Sequence, residues 1–282
     1  DINNPQLPDF IVPGADEKKQ DEPAKIKVIG VGGGGGNAVN HMYHQGIGGV
    51  SFVLCNTDAQ ALRNSPVPVK VQLGAKGEGA GNIPEVAKKL AEESAAEVEA
   101  LFDDNTRMAF ITAGMGGGTG TGAAPVVARI AKEKGVLTVG IVTIPFLFEG
   151  EPKILQAFAG VEEMRKHVDA LLVINNERLC KIYPDLSWTT AFAKADDSLS
   201  NAARSIAELV SKDGKINLDF ADVRTTLKDG GAAVISTGSG EGEHRMSRAI
   251  QNALTSPLLK ESDIYGAERV LFNLYFSPEE GE

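Results

Sequence analysis

AGMGGGTGTGAAP, residues Ala113 to Pro125, sets six glycines within the nine residues Gly114–Gly122. Glycine surrenders more backbone freedom on folding than any other residue, so this segment is costly to order. A flexible linker would account for the composition, but a linker is flanked by polar sequence. This segment instead follows the apolar run RMAFIT (Arg107–Thr112) and leads into PVVARIAKEKG (Pro125–Gly135), which has helical spacing. It therefore stands at a strand-to-helix junction. A helix N-terminus there offers unpaired N–H groups and the positive end of the dipole, and glycine lets the backbone approach phosphate oxygens closely. The segment reads as a phosphate cradle, with Thr119 and Thr121 adding hydroxyl donors.

The same arrangement occurs earlier. GGGGGN (Gly32–Asn37) follows the apolar strand KIKVIGV (Lys25–Val31). Two glycine runs at equivalent ends of one parallel sheet can converge on one polyphosphate; the competing explanation is that they only permit tight helix–sheet packing. Gly30, Gly32 and Gly35 also fit G-x-G-x-x-G, with Asp58 about twenty residues on, the fingerprint of a nicotinamide-dependent oxidoreductase. That rival leaves the second, richer run unexplained. No GxxxxGK[ST] occurs, which disfavours a Walker-type nucleotidase.

Around these runs the chain alternates. Strands are expected at Val50–Asn56, at Val136–Val142 and at Asp169–Asn175, besides the two before the glycine runs. Helices are expected at Asn37–Gly46, Pro84–Phe102, Pro125–Gly135 and from Pro152 to His167. Apolar strands alternating with helices predict an α/β fold whose parallel sheet is covered on both faces. A long helix, Trp188 to Lys212, leads to a smaller α+β region with strands in Gly230–Gly238 and Glu268–Phe276 and a helix at His244–Leu254. Two strands and one helix bury little core, so this second domain is expected to stop short of completion. The expected divisions are a disordered arm over 1–24, a nucleotide-binding domain over 25–187, a connecting helix over 188–212 and a partial C-terminal domain over 213–282.

Composition narrows the function. A net charge of -10 argues against nucleic-acid binding, which depends on basic surface. Cys55 and Cys180 sit in apolar contexts without CxxC spacing and read as buried free thiols of a reducing cytosol. The uncharged stretch Gly135–Phe148 is too short and broken to span a membrane and reads as a buried strand ending in a turn. His41, His44, His167 and His244 are scattered, so no protein metal cluster is expected.

GGGTGTG (Gly116–Gly122), with GGGGGNAVN (Gly32–Asn40), NTDAQAL (Asn56–Leu62), GAGNIPEV (Gly79–Val86), FEG (Phe148–Gly150) and NLDFADVRT (Asn217–Thr225), resembles the tubulin superfamily, and within it the FtsZ family of bacterial division GTPases. The resemblance runs from about Lys25 to the C-terminus. It implies a tubulin-like GTPase fold holding GTP or GDP, with Mg2+ on the phosphates. Gly33, Gly34 and Gly35, the Ala80–Gly81–Asn82 turn, and Gly116, Gly117, Gly118, Thr119, Gly120 and Thr121 would surround the phosphates. Asn37 and Glu149 would bind the nucleoside, Phe192 would lie against the guanine, and Asp196 would accept from its N–H edge with Asn176 close by. Adenine lacks those donors and would leave a buried acceptor unpaired. Asn217, Asp219 and Asp222 would reach the next subunit's nucleotide and orient the attacking water, because phosphoryl transfer needs mainly positioning and charge stabilisation.

The resemblance further implies head-to-tail homopolymers, since a contact between opposite ends does not close on itself. It implies a cytokinetic scaffold in the cytoplasm at mid-cell, and a tail beyond this chain that binds membrane-tethering and regulatory partners. The alternative is a nucleotide-binding scaffold that does not hydrolyse, should a shortened second domain fail to present Asp219 and Asp222. Three positions depart from the family pattern. His41 and Lys153 stand where arginine is common, and Asn175 where proline is favoured. Lysine keeps the charge of arginine but not its planar fork, and a histidine is shorter and mostly neutral at pH 7, so altered nucleotide affinity is expected.

Overall fold

The computed structural model describes residues 25–182, 187–211, 220–255, 266–272 and 274. The arm expected over 1–24 lies outside them. The chain opens with β1 (Lys25–Val31), α1 (Gly32–His44), β2 (Val50–Asn56), α2 (Ala59–Arg63) and β3 (Val69–Gln72). Then come α3 (Pro84–Glu93), α4 (Ala95–Ala100), β4 (Thr106–Gly114), α5 (Gly118–Glu133) and β5 (Leu137–Ile144). After them lie α6 (Glu151–Arg165), β6 (Ala170–Asn175), α7 (Asn176–Ile182), α8 (Trp188–Ser211), α9 (Phe220–Leu227), β7 (Gly231–Ala233) and α10 (Arg245–Leu254).

The strands form one parallel sheet in the order β3-β2-β1-β4-β5-β6-β7. Side chains alternate between its faces, as the two-residue period of a strand requires. Along β4, Met108 and Phe110 pack with α1, α8 and α9, while Ala109, Ile111 and Ala113 pack with α3, α5 and α6. Both faces are covered, so β5 is buried at all eight positions. Cys55 is fully buried on one face, where desolvation pushes its thiol up to about 12. Cys180 is only half-buried.

The architecture matches the expected α/β class, with three local differences. The helix expected over Pro84–Phe102 divides at Ser94, whose Oγ accepts from Gly74 N at 2.9 Å and so serves the end of β3. The helices expected from Asn37 and Pro125 begin earlier, at Gly32 and Gly118, so both glycine runs form first helical turns. Tertiary packing overrides the low helix propensity of glycine there. Third, Gly231–Ala233 adds to β6 in this same sheet, and no strand forms among the described residues of 268–276.

Candidate functional site

The strand order reverses direction between β1 and β4: from β1 the chain moves outward to β2 and β3, and from β4 outward the other way. In an open parallel sheet such a switch point leaves a crevice at the carboxyl ends of the strands. The glycine runs that follow β1 and β4 therefore lie side by side, and the N-termini of α1 and α5 converge on one place. Their backbones touch, since a Cβ on Gly32 would lie 2.7 Å from Gly120 N.

The glycines divide into two groups. A Cβ on Gly35 would meet Thr112 O at 2.2 Å, and one on Gly122 would meet Pro84 O at 1.9 Å, distances that real side chains do not reach. Gly118 and Gly120 are crowded in the same way by Asn82–Ile83 and by Gly114 O. These glycines seat α1 and α5 on the sheet and on the start of α3. Gly33 and Gly81 instead face open space, and a Cβ on Gly117 would find Asn82 Oδ1 nearest, at 3.9 Å. Backbone at Gly33, Gly34, Gly81 and Gly117 is thus accessible to an anion, whereas Gly35, Gly116, Gly118 and Gly120 are buried.

Side chains pin the loop. Thr121 Oγ1 accepts from Gly116 N at 2.9 Å, at a residue whose φ of 100° suits glycine. Thr119 Oγ1 lies 2.7 Å from Thr57 Oγ1, joining the run to the end of β2. Gln156 Nε2, from α6, donates to Gly116 O and Gly117 O at 3.0 and 3.2 Å. Gly79 N donates to Thr57 O at 3.0 Å, and Ile83 N to Ala80 O at 3.0 Å, so the Ala80–Asn82 turn closes the crevice opposite Gly117. Asp58, the acidic residue of the nicotinamide fingerprint, caps α2 by accepting from Gln60 N and Ala61 N. Thr57 stands in NTDAQAL without a role assigned from sequence, and Gln156 escaped the sequence reading. The available signal for Gln156 was its place three residues beyond Lys153 on a helix starting at the site.

The remaining residues divide between the β2 side of the glycine runs and the side of β5 and β6. Asn37 shares a recess with Gly33 and Asn56. Glu149 Oε1 accepts from Phe146 N at 3.0 Å while its Oε2 lies 3.3 Å from Lys153 Nζ. Phe192 packs edge-to-face with Phe146 and Phe148, centroids 5.3 and 6.1 Å apart, and the residue is 44% exposed. Asn176 is buried at the carboxyl end of β6, and its Oδ1 has no hydrogen-bond partner. Buried polar atoms are nearly always satisfied, so an orphan beside a crevice points to a missing polar partner. Asp196 on α8 is pushed up to about 6 by burial, with nearby His41 pulling it down and Asp197 adding to the rise. His41 Nε2 pairs with Asp197 and also lies 2.7 Å from Gln45 Nε2, so it joins α1 to α8.

Asn217 and Asp219 lie outside the described residues. Asp222 is exposed on α9, at the other edge of the sheet. Arg107, near the start of β4, holds its guanidinium 4.3 Å from the Phe220 ring centroid. Gly231, just beyond α9, pairs with Ala170, the first residue of β6. Both ends of α9 therefore follow the amino edge of the sheet. The glycine runs occupy the carboxyl edge, one nine-residue strand away, about 30 Å. Among the described residues no group of three His, Cys, Asp or Glu could hold a metal, and no helix is long and apolar enough to cross a membrane.

A family model described as Tubulin/FtsZ family, GTPase domain, matches residues 25–184, and one described as FtsZ family, C-terminal domain, matches 231–279. The cell division protein FtsZ of Porphyromonas gingivalis (strain ATCC BAA-308 / W83) is 65% identical over 262 residues, 92% of this chain and 57% of that protein. That of Aquifex aeolicus (strain VF5) is 48% identical over 259 residues, 90% of this chain and 70% of that protein. The chain thus spans 57% to 70% of the length of these curated relatives. Among solved structures, an empty FtsZ dimer from M. jannaschii has a TM-score of 0.80 at 45% identity, with 85% of this chain and 71% of that one covered. A GTPγS-bound protofilament of CetZ2 from Haloferax volcanii has a TM-score of 0.67 at 25% identity, with 78% and 67% covered.

Proposed function

The chain belongs to the Tubulin/FtsZ family, and from that membership we propose that it binds GTP in the crevice and hydrolyses it between adjacent subunits of a head-to-tail filament. The observation that carries this reading is the separation of the glycine runs and Asp222 to opposite edges of one sheet. A subunit cannot bring its own Asp222 to its own phosphates, whereas the next subunit in a polar filament can.

In this reading, accessible amides of Gly33, Gly34, Gly81 and Gly117 receive the phosphates at two converging helix N-termini. The guanine lies against Phe192, with Asp196 accepting from its N–H edge and the orphan Asn176 Oδ1 offering a further acceptor. Glu149 faces the ribose, and Lys153 adds positive charge beside it. Asn37 borders the nucleoside, and Asn217, Asp219 and Asp222 orient the attacking water from the neighbour. Mg2+ fits as an ion carried by the phosphates, since it keeps its waters and needs few protein ligands; it would neutralise charge developing in phosphoryl transfer.

Residues 25–187 then form the GTP-binding domain, 188–212 the connecting helix, and 213–282 the catalytic segment with part of the C-terminal domain. The biological role follows the relatives: a cytoplasmic scaffold for cell division at mid-cell, with membrane-tethering and regulatory division proteins as its other partners. GTP turnover measured across protein concentration, alongside light scattering, tests the core of it. Activity per subunit should rise with assembly, and Asp222→Ala should abolish turnover while GTP still binds. A rate per subunit flat with dilution refutes the shared site.

A further inference from the structure

α9 is an eight-residue helix that buries Phe220 and Val223 and leaves Asp222 exposed. A helix this short is not stable alone in water, so its orientation depends on what grips it. Cations from distant parts of the chain hold both ends. Arg107 covers Phe220 at the start. At the end, Arg269 Nη1 donates to Thr225 O at 3.0 Å, Thr226 O at 3.4 Å and Lys228 O at 2.8 Å. Lys132 Nζ, from the last turn of α5, lies 3.4 Å from Asp229 Oδ1 and 3.4 Å from Asp169 Oδ1.

The last carbonyls of a helix have no partner within it and carry the negative end of its dipole. Arg269 answers both needs with a cation brought from beyond α10. The cap also connects directly to the acidic residue, because Thr226 Oγ1 donates to Asp222 O at 2.9 Å and Thr226 O receives Arg269. We infer that Arg269 is a positioning residue for hydrolysis in trans: it clamps the exit of α9 so that Asp222 meets the nucleotide of the adjoining subunit at a fixed angle. This rests on the shared-site reading above. Arg269 lies at the amino edge of the sheet, away from the crevice, so its loss leaves the subunit's own nucleotide pole intact. Displacements of about an ångström are enough to lower a rate a hundredfold.

The test uses the full chain and GTP. Arg269→Gln is expected to lower turnover about tenfold or more under assembling conditions, with GTP affinity measured in dilute protein unchanged. Mixing it with Gly117→Val, blocked at the phosphates but intact at α9 and shown by sedimentation to enter the filaments, should restore turnover. Mixing it with Asp222→Ala should not. A purely structural role would lower GTP affinity as well and would not be rescued by a partner. Arg269→Lys, which keeps the charge but is shorter and lacks the planar guanidinium, should fall between; should Arg269→Gln fail to fold, Arg269→Lys carries the same comparison. A wild-type rate from the folded variant, or no restoration with Gly117→Val, overturns the assignment. If the unmutated chain shows no dependence on concentration, or Asp222→Ala stays active, it is the shared-site reading that fails.

Discussion

His41 Nε2 stands 2.7 Å from Asp197 Oδ1, a contact that ties α1 to α8 one residue beyond Asp196. Asp196, itself half-buried, stands near His41 of α1, the helix that the first glycine run begins, although the two are far apart in sequence. Histidine at this position thus makes its contacts between α1 and α8.

With Asp196 accepting from the guanine as proposed, its raised pKa would make nucleotide binding dependent on pH. A carboxyl held at about 6 favours its neutral form in the folded protein. Its contribution to stability is complete below the ordinary value of 3.8 and is lost as pH rises through about 6. Guanine N–H donors require the ionised form, so GTP affinity should fall about tenfold per pH unit below 6. Titration of GTP binding between pH 5 and 8 checks this, and Asp196→Asn should flatten the profile.

The two groups of glycines should respond differently to a single methyl. Gly122→Ala drives a Cβ to within 1.9 Å of Pro84 O, in rigid backbone, and should destabilise by about 1–3 kcal/mol or more. Gly117→Ala meets nothing closer than 3.9 Å and should change stability by less than about 1 kcal/mol, yet weaken GTP binding. Thermal melts with and without GTP separate the two.

Gln156 spans the gap between α6 and the second glycine run. Gln156→Leu keeps the volume but leaves Gly116 O and Gly117 O without their donor. A loss of about 1–2 kcal/mol is expected, read as a several-fold weaker GTP affinity with assembly intact at saturating nucleotide.

Asp169 holds the opposite edge. Its buried carboxylate accepts from Thr138 N at 2.9 Å and faces Lys132. Asp169→Ala leaves that amide unsatisfied and should lower stability by about 1–3 kcal/mol in chemical denaturation, with GTP affinity little changed.

Much of this molecule was legible in its sequence because the signals are local. Apolar strands alternating with helical spacing predict a parallel sheet covered on both faces, and that sheet is present. The glycine runs after Val31 and Gly114 announce strand-to-helix junctions, since composition and periodicity act over a few residues. Strand order was decided elsewhere: only the pairing of β1 with β4 brings the two runs together, through contacts between residues some eighty positions apart. Which glycines leave backbone open and which let backbones touch depends on those same distant contacts, as Gly117 and Gly122 show. The placing of Asp222 at the far edge, with Arg269 across the end of its helix, likewise belongs to tertiary packing. Nothing in NLDFADVRT encodes which pole it occupies, because a helix this short takes its position from its neighbours.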